Sequence, residues 1–281
     1  MDLYPDPEAL PLPVQFDREE WPHHPVVDDY RRYCCQEDLP DSVKRNAIRI
    51  YYGLCSFLDA QVGVVLKALK ETGLDKNTRV LYCTDHGDTM GEHGLFFKST
   101  MYEGSVSIPM IFSGPGIRKG KRNATGVSLV DIYPTAIECL GGVMCEEDRR
   151  LPGRSLLAFA GGKEEPERAV YSEYLGFGIY TGEFMLRRGR FKYIHYVGER
   201  PQLFDLKEDP EECRDLAGDP EYCEVIRRME KELRTLVDPE KAEEDARIAQ
   251  RALLDRFGGQ EAFLKTFHPS LFSPIPDLEE K

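Results

Sequence analysis

Apolar side chains recur at spacings of three and four residues between Asp41 and Gly73. In an α-helix this spacing places them on one face, so the sequence predicts a long amphipathic helix with Asp41 as its N-cap. The apolar positions are Ala47, Tyr51, Leu54, Cys55, Leu58, Val62, Val65, Leu66 and Leu69. The run NTRVLYCT at 77–84 then changes to a strand pattern, and a helix followed by a buried strand is typical of a parallel sheet.

A second predicted strand and a second predicted helix follow. The apolar run IPMIFSG at 108–114 predicts another strand, and the turn after it contains glycine and proline. The segment VSLVDIYPTAIECLGG at 127–142 has helical spacing and ends at Gly141, as helices commonly do. We therefore assign residues 41–160 to an α/β domain.

The segments outside residues 41–160 have different sequence patterns. Residues 161–256 begin with short aromatic runs bounded by glycines at hairpin spacing, which predicts a small antiparallel sheet. Charged helical stretches near 219–236 and 239–256 complete this C-terminal subdomain. Residues 1–40 are rich in proline and are expected to form an extended connector, because proline blocks helix interiors and central strands. Residues 257–281 are expected to be an extended tail.

Composition narrows the class of protein. The chain has 281 residues, of which 41% are apolar, enough for a hydrophobic core. A formal net charge of -13 argues against nucleic acid as a partner, because phosphate-backbone binding needs clustered Lys and Arg. The eight cysteines fit no zinc or redox spacing and are expected to be reduced. No apolar run suggests a membrane partner, and no signal peptide is recognisable, so a cytoplasmic location is expected by default.

Candidate chemistry is concentrated in TRVLYCTDHGDTMGEHGLFFK at 78–98. Ligands of open α/β sheets bind beyond the carboxyl ends of strands, and Asp85 and His86 directly follow such a strand. A carboxylate and an imidazole on one glycine-containing turn can both reach a single divalent cation. Two ligands do not complete a site, so further anionic ligands must come from elsewhere. Lys98 supplies a mobile cation suited to a tetrahedral oxyanion.

The segment LYCTDHGDTMGEHGLFFKSTMYEGSVSIPMIFSGPG resembles the C-terminal metal-site segment of the sulfatase family, in the alkaline phosphatase superfamily. That family's pattern is a strand, then Ser/Thr-Asp-His/Asn-Gly, then Gly-Asp/Glu-His, then Lys. The helices predicted before and after this segment are similar to those of the family. Beyond residue 142, YIHY and QLFDLKEDPEECRDLAGDP resemble the family's C-terminal subdomain.

The resemblance implies a fold and a set of roles. The fold would be α/β, part of an alkaline-phosphatase-like sandwich with a central, mostly parallel sheet, followed by a small antiparallel C-terminal subdomain. Asp85 and His86 would bind a divalent metal, with Ca²⁺ expected first and Mn²⁺ or Mg²⁺ as alternatives. Lys98 would be catalytic and substrate-binding, holding the sulfate of a sulfate ester. His93 matches the motif too, and a substrate-binding and a structural role are both open for it.

The family's nucleophile is not found in the sequence. Sulfatases generate it from Cys or Ser in Cys/Ser-x-Pro/Ala-x-Arg, and no segment here matches that pattern. We therefore expect the chain to be a C-terminal portion of a sulfatase-like hydrolase, inactive alone, whose missing N-terminal half lies in a longer chain or a second chain. The alternatives are a phosphonate monoester or phosphodiester hydrolase of the same superfamily and a noncatalytic oligomerisation module, with a homo-oligomer possible.

Overall fold

The computed structural model describes residues 3–176 and 178–266, and its first α-helix lies where the sequence predicts an extended connector. Helix α1 spans Pro25–Tyr33. Its proline stands in the first turn, where no intrahelical hydrogen bond is lost, so proline density did not prevent helix formation. The prediction of an extended connector is therefore wrong for this segment. The helix buries three side chains in the hydrophobic core, Val26, Val27 and Tyr30.

Helix α2, Asp41–Glu71, confirms the long helix predicted from the apolar spacing. Its N-cap is Pro40, one residue before the expected Asp41. Beyond its C-terminus, Gly73 has a φ of 73°, the left-handed conformation that glycine adopts without a steric penalty. The periodicity thus predicted the element and its end correctly, within the usual uncertainty of helix boundaries.

Most of the apolar face of α2 is exposed. Only Lys44 and Ile48 are buried along the whole helix. By length and composition alone α2 is long and apolar enough to cross a membrane. The sequence analysis had found no apolar run of that length. A single helix of this kind is weak evidence for a membrane span. The apolar side chains of α2 with the largest exposed fractions are Leu54 at 58%, Phe57 at 65%, Leu58 at 48%, Val64 at 63% and Val65 at 61%.

Two small sheets and a short helix follow α2. Strand β1, Val80–Cys83, is succeeded by β2, Thr89–Met90, and β3, Phe96–Phe97, which pair as an antiparallel hairpin. Helix α3, Glu103–Val106, then leads to β4, Met110–Ser113. Strand β4 pairs antiparallel with β1, so the chain returns to the first strand after passing through the candidate site.

The direction of β1 and β4 corrects one expectation. The order of helix and strand suggested neighbouring parallel strands, but in the described residues these two strands run antiparallel. Parallel neighbours are usually joined by a crossover helix, whereas the connection from β1 to β4 contains the β2–β3 hairpin and the four-residue α3. After β4, helix α4 spans Ile132–Cys139, as predicted, and helix α5 spans Leu157–Ala160.

The predicted C-terminal antiparallel sheet is confirmed. Four strands form a meander in sequence order, β5–β6–β7–β8, and helix α6, Cys223–Leu236, follows them. The strands are β5, Val170–Tyr174; β6, Glu183–Arg188; β7, Phe191–Tyr196; and β8, Gln202–Asp205. Seven 3₁₀ helices lie in the described residues, at Pro7–Ala9, Arg18–Glu20, Leu74–Lys76, Glu92–Gly94, Leu129–Asp131, Asp148–Arg150 and Pro220–Tyr222.

One hydrophobic core joins segments that the sequence assigned to three regions. It combines side chains of α1, of the loop around β3, and of the C-terminal sheet. Its buried members are Val26, Val27, Tyr30, Leu95, Met101, Tyr102, Met185, Ile194, Tyr196 and Phe204. The C-terminal sheet therefore packs directly against the segment that carries the candidate site. All eight cysteines are free in the structure.

The described residues after Leu236, 237–266, belong to a second compact unit. Helix α7, Pro239–Arg256, confirms the predicted charged helix and begins at Asp238, whose side chain accepts a hydrogen bond from the Lys241 amide at 3.1 Å. Helix α8, Gln260–Thr266, lies where an extended tail was predicted, so that prediction is wrong there. The rest of the predicted tail lies outside the described residues.

Candidate functional site

Asp85 stands on the turn that follows β1, with its side chain 81% exposed. Its Oδ1 accepts hydrogen bonds from the His86 amide at 3.1 Å and from the Thr84 hydroxyl at 3.2 Å. Hydrogen bonds from the backbone, together with the neighbouring His86 and Thr84 groups, lower the pKa of this carboxyl despite the small opposing effect of desolvation. Asp85 is thus held as an anion at the surface.

His86 is oriented as a metal ligand would be. Its Nδ1 lies 2.8 Å from the carbonyl oxygen of Gly87, which can only accept, so Nδ1 carries a proton, and in the neutral ring the lone pair is then on Nε2. In many metal-bound histidines, a carbonyl that accepts from one ring nitrogen fixes the other nitrogen as the ligand in this way. The Nε2 atom lies 3.5 Å from Asp85 Oδ2, a separation compatible with two ligands of one cation.

Gly87 holds this turn against helix α3. Its amide donates to the carbonyl of Ser105 at 2.7 Å. A Cβ atom added at Gly87 would lie 2.2 Å from the carbonyl oxygen of Gly104, far inside van der Waals contact. Only glycine therefore allows the turn to approach α3 so closely, and α3 in turn supports Asp85 and His86.

The donors present fit part of a metal site. Within residues 3–176 and 178–266, no group of three or more His, Cys, Asp or Glu side chains is arranged to hold a metal ion. An anionic oxygen and an imidazole nitrogen with a free lone pair nevertheless suit a divalent cation. Asp85 and His86 thus remain predicted ligands, and the remaining ligands would have to come from outside the described residues.

Lys98 lies at the end of the β2–β3 hairpin with an exposed side chain. Thr89 pairs with Phe97 in this hairpin, and the pairing returns the chain toward the turn that carries Asp85. The residues on both sides of Lys98 have left-handed backbones, with φ of 72° at Phe97 and 75° at Ser99. Each such non-glycine conformation costs roughly 1–2 kcal/mol. The lysine therefore occupies a strained segment, as residues at functional sites often do.

His93 has a structural position. Its ring is 3% exposed, stacks on Tyr102 with centroids 4.6 Å apart, and Nδ1 lies 2.7 Å from Gln15 Oε1. Burial, and then the charge of Arg31, lower the pKa of His93 to about 4, which keeps the ring neutral. Added protein could only bury this ring further. These contacts are those of a structural residue, and the substrate-binding role of His93 stays a prediction.

Side chains from α1 and the turn after it contact the site segment, and the sequence analysis missed them. The guanidinium of Arg31 donates to the carbonyl of His93 at 2.8 and 3.2 Å. The Gln36 amide bonds to the backbone of Phe96, and the Tyr30 hydroxyl donates to the carbonyl of Lys98. The signal was available in Pro25 followed by Val26, Val27 and Tyr30, which is a helix start followed by one apolar face.

Two family models match the chain. The model described as N-sulphoglucosamine sulphohydrolase, C-terminal, matches residues 91–239, and the model described as Sulfatase matches residues 21–143. Arylsulfatase K of Gallus gallus is 37% identical over 245 residues, which cover 82% of this chain and 44% of that protein. The chain therefore spans less than half the length of this curated relative.

The solved structures that superpose on this chain include enzymes of two kinds. A 2-O GAG sulfatase superposes with a TM-score of 0.70 and 30% identity, covering 81% of this chain and 52% of that one. A phosphonate monoester hydrolase from Silicibacter pomeroyi superposes with a TM-score of 0.71 and 27% identity, covering 81% of this chain and 50% of that one.

Proposed function

Because this chain belongs to the sulfatase family, we propose that it is the C-terminal, metal- and anion-binding portion of an enzyme that hydrolyses sulfate esters. The observation that carries the proposal is the Asp85–His86 turn, in which an exposed carboxylate and an imidazole with a free Nε2 lie 3.5 Å apart. Asp85 and His86 would hold a divalent cation, with Ca²⁺ proposed first for a site whose remaining ligands are carboxylate oxygens from the missing half, and Mn²⁺ or Mg²⁺ as alternatives. When bound, that cation would supply Lewis-acid polarisation of a sulfate oxygen.

The chain's own residues would bind and orient the anion. Lys98 would contact a sulfate oxygen with its ammonium and offset the charge that grows on the leaving oxygen. The Gly87 carbonyl would keep His86 in the tautomer that presents Nε2 to the site. The nucleophile would come from protein outside this sequence, because no Cys/Ser-x-Pro/Ala-x-Arg segment occurs in it.

The function is tested by turnover of the assembled enzyme, meaning this chain together with the polypeptide that supplies the nucleophile. We expect kcat/KM for an aryl sulfate to exceed that for an aryl phosphonate monoester with the same leaving group by roughly tenfold or more. This chain by itself serves as the control and is expected to turn over neither. Faster phosphonate turnover would support the second candidate, a phosphonate monoester hydrolase, which is favoured by the likeness to the Silicibacter pomeroyi enzyme.

We further propose that the missing half of the enzyme covers the exposed face of α2. This surface carries large apolar side chains, and a contiguous apolar patch on a soluble protein commonly marks an interface. Between Ile50 and Leu66 the only charged residue is Asp59, so little opposes burial. The chain also matches less than half of its relatives' length, which leaves a large partner surface unaccounted for.

Replacing Leu58 and Val65 together by glutamate is expected to weaken association with the missing half by about tenfold or more, because two charges would have to be buried. The thermal stability of this chain alone is expected to change little, since both side chains are exposed. Lys67→Glu, which adds a negative charge at a 73% exposed side chain of the same helix, is the matched control. Sedimentation velocity of the mixture measures association, and undiminished binding of the double variant would contradict the assignment.

A further inference from the structure

We propose that Tyr30 and Gln36 are positioning residues for Lys98, and that they act by anchoring the backbone of residues 96–99, here called the lysine segment. The inference deepens the proposed function, because it rests on the role of Lys98 as the group that binds the substrate anion. It gives a role to α1, the helix in the region for which the sequence predicted an extended connector.

The first observation is that the carbonyls of residues 96, 97 and 98 each accept a side-chain hydrogen bond. Gln36 Nε2 donates to the Phe96 carbonyl at 2.8 Å, while the Phe96 amide donates back to Gln36 Oε1 at 3.2 Å. The Thr89 hydroxyl donates to the Phe97 carbonyl at 2.7 Å. The Tyr30 hydroxyl donates to the Lys98 carbonyl. Anchors on three consecutive carbonyls determine the path of the backbone through Lys98.

The second observation is the backbone conformation that these anchors maintain. Phe97 and Ser99 have φ of 72° and 75°, and neither is glycine. Such conformations persist only where the surrounding structure holds them. The Lys98 side chain is exposed, so the direction of its Cα–Cβ bond, and hence the region its ammonium can reach, is set by the backbone. Release of one anchor would allow the segment to relax and the ammonium to leave its position.

The third observation is that the anchoring side chains are themselves held firmly. Tyr30 is 3% exposed and Gln36 is 2% exposed. The adjacent Arg31 donates to the Pro22 carbonyl at 3.0 Å and to Asp28 at 2.6 Å. Burial raises the pKa of Tyr30 far above its ordinary value, so the hydroxyl keeps the proton that it donates. Helix α1 is thus a rigid support, and the lysine segment depends on it.

The first test is limited proteolysis of this chain with an endoproteinase that cleaves after lysine. Cleavage after Lys98 requires local opening of the segment, so its rate reports the anchor directly. Tyr30→Phe removes only the hydroxyl, and we expect it to accelerate this cleavage by roughly 2- to 10-fold, the effect of losing one hydrogen bond. Cleavage after the exposed Lys76 is the internal reference and is expected to be unchanged.

Tyr171→Phe is the matched control variant. It also deletes a phenolic hydroxyl, but that hydroxyl donates to Glu173 on the same strand and has no part in the lysine segment. It is expected to leave cleavage after Lys98 unchanged. Gln36→Ala removes the second anchor and is expected to accelerate cleavage as Tyr30→Phe does, so the test does not depend on one variant. Unchanged cleavage after Lys98 in both anchor variants would overturn the proposal.

The second test is a double-mutant cycle in the assembled enzyme. Tyr30→Phe is expected to lower kcat/KM by about 3- to 10-fold when Lys98 is present, and to have no further effect in the Lys98→Ala background. A merely structural role would instead lower activity equally in both backgrounds, and that outcome would overturn the inference. If Lys98→Ala alone left activity unchanged, the proposed function of Lys98 would fail, whereas proteolysis would still decide whether Tyr30 anchors the segment.

Discussion

Replacing Lys98 by alanine is expected to lower kcat/KM of the assembled enzyme for an aryl sulfate by about 10²–10³-fold, the usual cost of removing one preorganised group that stabilises transition-state charge. The ammonium is the cation that the candidate site segment offers to the substrate anion, on a strained backbone held by α1. A loss shared equally by kcat and kcat/KM would indicate an interaction made in the transition state. Steady-state kinetics with the purified enzyme measure both.

Lys119→Ala is the control for this prediction, since Lys119 is an exposed lysine on the turn after β4. It removes the same charge from the molecule without touching the site segment, so turnover is expected to stay near that of the unmodified enzyme. Lys98→Arg keeps the charge but changes the shape and reach of the cation, and an intermediate loss is expected. Near-normal turnover of Lys98→Ala would remove this lysine from the catalytic machinery.

Lys192→Met is expected to destabilise this chain by about 3–5 kcal/mol, because it breaks a buried ion cluster and leaves its carboxylates uncompensated. The Lys192 side chain is fully buried, with Nζ 3.0 Å from Glu103 Oε1 and 2.7 Å from Glu212 Oε1. Although burial acts to raise the pKa of Glu103, Lys192 and then Arg187 hold it below its ordinary value. Burial raises the pKa of Glu212 despite Lys192. Urea unfolding measures the loss.

Lys67→Met is the matched control for that loss, because it breaks an ion pair whose side chains are 73% and 64% exposed. Pairs of this kind contribute little to stability, so the unfolding midpoint should stay almost unchanged. A Lys192 variant as stable as this control would show that the buried carboxylates need no counter-charge. The expected result matters for the site, because Glu103 opens α3, and α3 supports the turn that carries Asp85 and His86.

The composition of the candidate site was predictable only in part. Asp85, His86 and Lys98 are predicted from residue type, from the strand before them and from resemblance, and those signals are contained in one short segment. The burial of His93 was not predictable, because it depends on Gln15 and Tyr102. The anchors Tyr30 and Gln36 were missed because they lie 68 and 60 residues before the backbone groups that they bind.

The fold class was predicted correctly from the sequence, and the solved structures that resemble this chain confirm it. Periodicity alone also identified α2, the helix after β4, the four-stranded antiparallel sheet and two C-terminal helices. Each of these depends on interactions within one or two turns, or between adjacent strands of a hairpin. Such interactions join residues that are close together in the sequence, so a local sequence pattern was sufficient to predict these elements.

Tertiary structure alone decided the direction of β1 against β4, the contacts of α1 with the candidate site segment and the exposure of α2. These properties depend on partners that are remote in the chain or outside it. The pair between Glu103 and Lys192, for example, spans 89 residues. Apolar spacing shows that a helix has an apolar face, but it does not specify which surface covers that face.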